Sequence, residues 1–126
     1  MPVVTLTVRS SAARELRAKV LDSIHAALVN AGADRKDRFH RVLELDDADF
    51  QYDPKFPDVK TERTGEFVLA EILLGAGRSV KVKKKILADI VERVAAQGID
   101  PENIMVVFHD VPWENWSPAG GRMPHG

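Results

Sequence analysis

Apolar and polar positions along this chain follow two alternating periods. Residues 2–8, Pro2-Val3-Val4-Thr5-Leu6-Thr7-Val8, form a short β-branched run that reads as a buried strand. Leu16, Val20, Ile24 and Leu28 then recur at every fourth position, with Ala13, Leu21 and Ala31 on the same side. That spacing predicts one face of an amphipathic helix of about 20 residues. Ser10 or Ser11 offers its N-cap, and Gly32 the residue that stops it. Residues 39–45 alternate again and predict a second strand. Residues 46–64, rich in Asp and holding Pro54 and Pro57, lose both periods and read as a long, solvated connection with no more than a short strand or turn. Residues 66–74 predict a third strand. Ser79 caps a second helix whose apolar face is Val82, Ile86, Leu87, Ile90, Val91 and Val94, and Gly98 ends it. Residues 104–108 predict a fourth strand, and both tryptophans, Trp113 and Trp116, fall in the tail that follows.

Strand–helix–strand therefore occurs twice, and the seams repeat. Gly32-x-Asp34-x-x-Asp37 precedes the second strand and Gly98-x-Asp100-x-x-Asn103 the fourth; Arg9-Ser10 opens the first helix and Arg78-Ser79 the second. Matching seams at equivalent points of one pattern argue for an internal duplication. The boundaries are repeat one at about 2–46, a connection at about 47–64, repeat two at about 65–110 and a tail at 111–126, in a single domain. Each β-α-β unit pairs two parallel strands through a right-handed crossover. The expected fold is α/β, two fused β-α-β units forming a four-stranded sheet with two helices on one face. Strands apolar on both sides do not leave their other face wet, so self-association through that face is expected.

Composition excludes more than it identifies. The 126 residues are 44% hydrophobic and 29% charged with net charge −1, so no charge excess points to nucleic acid or a membrane surface. The Lys81, Lys83, Lys84, Lys85 cluster reads as the wet face of the second helix. No apolar run is long enough to span a bilayer and no leader pattern opens the chain, so a cytoplasmic location is expected. The absence of cysteine removes disulfides and thiolate chemistry. His25, His40, His109 and His125 match no metal-ligand spacing, and the Asp-rich connection lacks the Gly and closing Glu of a calcium loop. No metal or cofactor is expected.

The candidate chemistry begins at Pro2. Removal of Met1 would leave a secondary amine, and an α-amino group titrates near pH 8, far closer to neutrality than lysine. Desolvation and a neighbouring cation lower it further, which suits general acid–base work. With Pro2 after Met1, Asp37-Arg38-Phe39 entering the second strand, Gly77-Arg78-Ser79 opening the second helix, and Asn115-Trp116-Ser117 with Gly121-Arg122 in the tail, the chain resembles the tautomerase superfamily, built from β-α-β units around an amino-terminal proline. Within it the chain is similar to the malonate semialdehyde decarboxylase-like branch, whose members carry two fused units.

The resemblance implies a homotrimer around a central barrel of sheets, Pro2 as the catalytic amine and Asp37 as its assistant or as activator of water. Decarboxylases of this kind hold the substrate carboxylate with two arginines just before the second helix. Arg78 matches the second of these, and Ala76 stands where the first would be. That departure favours keto–enol tautomerisation of a small 2-ketoacid or its enol. Pro2 would be the general base, and Arg78 would bind the carboxylate through its planar fork beside a helix N-terminus. The alternatives are a decarboxylase or hydratase with protonated Pro2 and Asp37 activating water, and a non-catalytic trimer. Phe39, Phe108 and Trp116 are candidate pocket walls, and Arg122 a candidate closing residue from the tail or a neighbour.

Overall fold

The structure is a computed structural model and describes residues 2–123. Its elements are β1 (Val3–Arg9), α1 (Arg14–Asn30), β2 (Phe39–Leu45), β3 (Val68–Gly75), α2 (Val80–Ala96) and β4 (Ile104–Val111), with 3-10 turns at Pro101–Asn103 and Trp113–Asn115. The sheet order is β2-β1-β3-β4. β1 runs parallel to β2 and β3 parallel to β4; β1 and β3 join the two units antiparallel, with Val3 opposite Leu73 and Thr7 opposite Leu69. This is the double β-α-β sheet expected from the repeat.

The period-two pattern explains the layering. Val4, Leu6 and Val8 of β1 and Val68, Ala70, Ile72 and Leu74 of β3 share one face and pack on Leu16, Val20, Ile24, Ile86, Ile90 and Val94 of the helices. Both helices thus cover the same side. The alternate residues look the other way, where Phe39 is 50%, Leu43 46% and Val107 39% exposed. A polar row crosses that open face: Arg41 Nε donates to Thr5 Oγ1 (2.7 Å), Glu71 lies opposite Thr5, and His109 stands 3.3 Å from the Glu71 carboxylate.

Several local expectations need correction. α1 starts later than the serines suggest, with Ala13 at its N-cap position and no side-chain cap there. Ser10 and Ser11 donate instead to Asp46 and Asp47. The Glu66 carboxylate takes over at that end, accepting the Ala13 N–H at 3.2 Å with both oxygens. β3 begins at Val68 because the Phe67 N–H is held by Thr64 O in a turn, and β4 runs on to Val111, pairing with Gly75. Lys83 is not part of a wet face: it reaches back to Asp110 on β4 at 2.7 Å. The 46–64 connection contains no strand but is well anchored. Phe50 and Tyr52 pack on Phe67, Arg9 lies over the Tyr52 ring, and Asn103 binds both the N–H and the hydroxyl of Thr64 at 3.0 Å. Ser79 caps α2 as expected, accepting the Val82 N–H, and Gly32 and Gly98 follow the two helices with φ of +113° and +81°. No helix among the described residues is long and apolar enough to cross a membrane.

Candidate active site

Strand direction alone gathers the predicted residues. Val3 pairs with Phe39 on one side and with Leu73 on the other. The start of β1, the start of β2 and the finish of β3 therefore lie at one end of the sheet, with neighbouring strands ~4.8 Å apart. Pro2 is buried there, between the segment leading into β2, which holds Asp37 and Arg38, and the last residues of β3. Arg78 is three residues past Gly75, on the turn that leads into α2. The connection 46–64 begins and finishes at the opposite end and contributes nothing to this corner within one chain.

Each of these side chains is placed by a local device. Asp37 is half-buried in the turn after α1, where its N–H donates to Asp34 O at 3.0 Å. It holds in the first unit the position that Asn103 holds in the second, and Asn103 binds the chain just ahead of β3. Arg78 is half-buried, and its Nη1 donates to Gly75 O at 3.0 Å. One guanidinium edge is thus fixed to the turn while the other donors remain for a ligand. Ser79 begins α2 immediately after it, so the positive helix end adjoins the guanidinium. An anion approaching Arg78 meets both.

The tail closes over the same end. Ala76 N–H donates to Val111 O at 2.9 Å, and that carbonyl also accepts the Trp116 indole N–H at 3.2 Å. Trp113 donates its indole N–H to Ala76 O at 2.9 Å. Its ring lies on Gly75 so tightly that a Cβ there would stand 2.7 Å from Cζ3 and closer still to Cζ2 and Cη2. Trp113 has no pocket role in the sequence reading; a glycine closing a strand ahead of a Trp-bearing tail is the signal that points to it.

Not every candidate wall faces this corner. Phe108 points into the helix-covered core and packs there, so it is a core residue. Phe39 stands half-exposed on the open face at the start of β2. Arg122 is exposed in the tail's own turn, its guanidinium folded over Gly120. His40, next to Phe39, turns towards α1 and meets His25 edge-on at 5.8 Å. Burial, then the Arg38 and His25 charges, lower its pKa to about 4 against an opposing pull from Asp22, so it is neutral near pH 7. A cleft of about 310 Å³ between the start of α1 and the end of α2, lined by Leu16, Glu66, Ile99 and Asn103, lies at the far end of the sheet from Pro2. That cleft and the sequence-predicted chemistry do not coincide. Among the described residues no group of three or more His, Asp or Glu is arranged to hold a metal ion.

Comparison with known proteins bears on the family and the fold. A family model described as tautomerase enzyme matches residues 37–119, a span that includes Asp37, Arg78, Trp113 and Trp116 but not Pro2. The 2-hydroxymuconate tautomerase of Comamonas testosteroni is 40% identical over 52 residues, covering 40% of this chain and 82% of that protein. Among solved structures, a malonate semialdehyde decarboxylase inhibited by 3-bromopropiolate superposes with a TM-score of 0.84 at 23% identity, covering 96% of this chain and 92% of that one. A fused 4-OT solved as a symmetric trimer gives 0.72 at 22% identity, covering 96% and 94%.

Proposed function

The chain belongs to the tautomerase family, and on that premise we propose that it is a cofactor-independent keto–enol tautomerase of small 2-ketoacids or their enols. The observation that carries this reading is the convergence of Pro2, Asp37 and Arg78 on one end of the sheet, fixed by the register of three strands.

Removal of Met1 frees the Pro2 nitrogen. While Met1 remains, that nitrogen is a tertiary amide and exchanges no proton. An unperturbed α-amino group, titrating near pH 8, is about one-tenth free base at pH 7, and burial and a neighbouring positive charge both act to raise that fraction. Arg78 holds the substrate carboxylate through the guanidinium edge not bound to Gly75 O. In the keto-to-enol direction the Pro2 amine takes a proton from the carbon beside the carbonyl. That C–H bond breaks, the N–H bond forms, and the prolinium then gives its proton to the enolate oxygen, which restores the free amine. In the ketonisation direction the free amine takes the enol O–H proton as the carbonyl re-forms, and the resulting prolinium delivers that proton to carbon, which leaves the amine free again. Asp37 orients the prolinium. The single guanidinium, with Ala76 at the other position, suits an isomerase that binds one carboxylate and need not stabilise a departing one.

Homotrimerisation belongs to the same reading. The half-exposed Phe39, Leu43 and Val107 on the uncovered sheet face are supports for it, as is the trimeric state of the fused 4-OT. In a trimer a neighbouring copy supplies the missing wall of the Pro2 corner, with Phe39, Trp116 and Arg122 at its rim.

The test is the rate of ketonisation of phenylenolpyruvate across pH 5–9, with intact mass measured on the same sample. The reading requires loss of Met1, a rate that rises as one amine deprotonates, and a collapse of that rate in Pro2→Ala. A Pro2→Ala variant of undiminished activity overturns it. The position of Asp37 ahead of β2 favours one second reading, a decarboxylase or hydratase of 3-oxoacids in which Asp37 activates water. That reaction needs protonated Pro2, so its rate falls along the same pH limb.

A further inference from the structure

We propose that Trp113 is the positioning residue for Arg78, setting the affinity of the site for its carboxylate ligand without touching that ligand. The claim rests on the carboxylate-binding role of Arg78 proposed above.

Only Ala76 and Gly77 separate the end of β3 from Arg78, and Gly77 takes a φ of +117°. Such a turn does not hold a guanidinium still by itself. Three contacts hold it. Ala76 N–H is bound to Val111 O, which extends the β3–β4 ladder by one residue. Ala76 O accepts the Trp113 indole N–H at 2.9 Å. The indole ring lies on the Gly75 Cα, in the space where any other residue would place a Cβ. Gly75 has an ordinary negative-side backbone, so the ring's closeness and not a turn geometry is what demands glycine there. The Gly75 carbonyl beneath that ring is the acceptor for Arg78 Nη1. Trp113 therefore fixes both the peptide that anchors the guanidinium and the peptide that follows it. Its own place is set by the 3-10 turn Trp113–Asn115 and by the neighbouring Trp116, bound to Val111 O.

Trp113→Phe keeps a ring over Gly75 and removes the N–H, so the fold is preserved and the Ala76 carbonyl loses its partner. The expected result is a KM for phenylenolpyruvate raised about tenfold, the size of one hydrogen bond of about 1.4 kcal/mol, with kcat within about twofold of wild type. In an Arg78→Ala background the same change leaves KM where Arg78→Ala alone puts it, because Trp113 acts through Arg78. A purely structural role gives multiplying effects in the double variant and a loss of kcat with KM intact, and either result overturns the proposal. A second arm needs no turnover: ¹⁵N relaxation of the Arg78 side-chain Nε–H. That group is ordered in wild type and loses order in Trp113→Phe and in Gly75→Ala, where the added methyl displaces the ring. Equal order in wild type and Trp113→Phe overturns the proposal. Loss of order in a protein that turns over no 2-ketoacid supports the positioning claim while the activity proposed above fails, so the two failures are separable.

Discussion

Removing the Arg78 guanidinium tests binding and electrostatics in one experiment. One of its donors is fixed on Gly75 O at 3.0 Å, which leaves a second edge for a two-point contact with a carboxylate. Hydrogen bonds to charged groups contribute about 1.5–3 kcal/mol, so Arg78→Ala is expected to raise KM for a 2-ketoacid enol by roughly 10- to 150-fold. The same cation sits at the corner that holds Pro2, and an opposite-sign preference acts on the amine: a neighbouring positive charge disfavours prolinium. Its loss is expected to move the deprotonation limb of the pH–rate profile upwards. Arg78→Lys separates the two effects. It keeps the charge and loses the fork, so KM rises by roughly tenfold while the limb stays near its wild-type position. Steady-state rates across pH 5–9 for the three proteins, with melting temperatures to show that the Ser79 cap and α2 persist, give both quantities. The reasoning is refuted if Arg78→Ala leaves the limb in place, or if the lysine variant matches the alanine variant in both KM and limb.

Two further predictions follow from groups outside that contact. His40 has its folded pKa lowered to about 4, so the unfolded chain binds more protons between pH 6.5 and 4. Stability is present above pH 6.5 and is lost as pH falls through that window, by about 1–2 kcal/mol once the half-buried site is discounted for solvent screening. Urea melts from pH 7.5 to 4 should show that slope, and His40→Gln should flatten it; an unchanged slope in the variant sinks the assignment. On the open face Val107 lies opposite Glu71, so Val107→Asp places two carboxylates across from each other in what is proposed to be the trimer core. Light scattering should show a species of three 14.0 kDa chains in wild type and a single chain in the variant, with far-ultraviolet circular dichroism unchanged; a wild-type monomer contradicts the proposal.

Much of this architecture was legible in sequence because local chemistry and the fold agree. The apolar spacing from Leu16 to Leu28 and from Ile86 to Val94 is the face each helix buries, and Gly32 and Gly98 stop the helices with backbones that disfavour a side chain. Where the reading failed, a partner distant in sequence had intervened. Ser10 and Ser11 have N-cap chemistry, but Asp46 and Asp47 draw their hydroxyls away and a carboxylate 53 residues on serves the helix instead. Lys83 looks like its exposed neighbours in the cluster until β4 brings Asp110 beneath it. Phe39 and Phe108 are equally aromatic, and only strand parity separates a half-exposed ring from a core one.

The corner itself was the least legible feature, since no stretch of sequence contains it. Pro2 and Arg78 belong to different units, and within a single β-α-β unit the start of the first strand lies beside the start of the second, never beside a strand's finish. Antiparallel joining of β1 to β3 changes that: it carries the β3 finish, and the start of α2 behind it, to the start of β1. Pro2 and the Arg78 turn are then brought to one end of the sheet by backbone pairing, with no side chain needed to assemble them. The side chains refine what the sheet has already placed: Asp37 from the turn ahead of β2, the indole of Trp113 from the tail of the second unit. The repeated unit thereby keeps Asp37 ahead of its second strand in the first half and an asparagine tether, Asn103, at the equivalent place of the second. That asymmetry accounts for one proposed reaction centre per chain in a sheet built from two nearly equivalent halves.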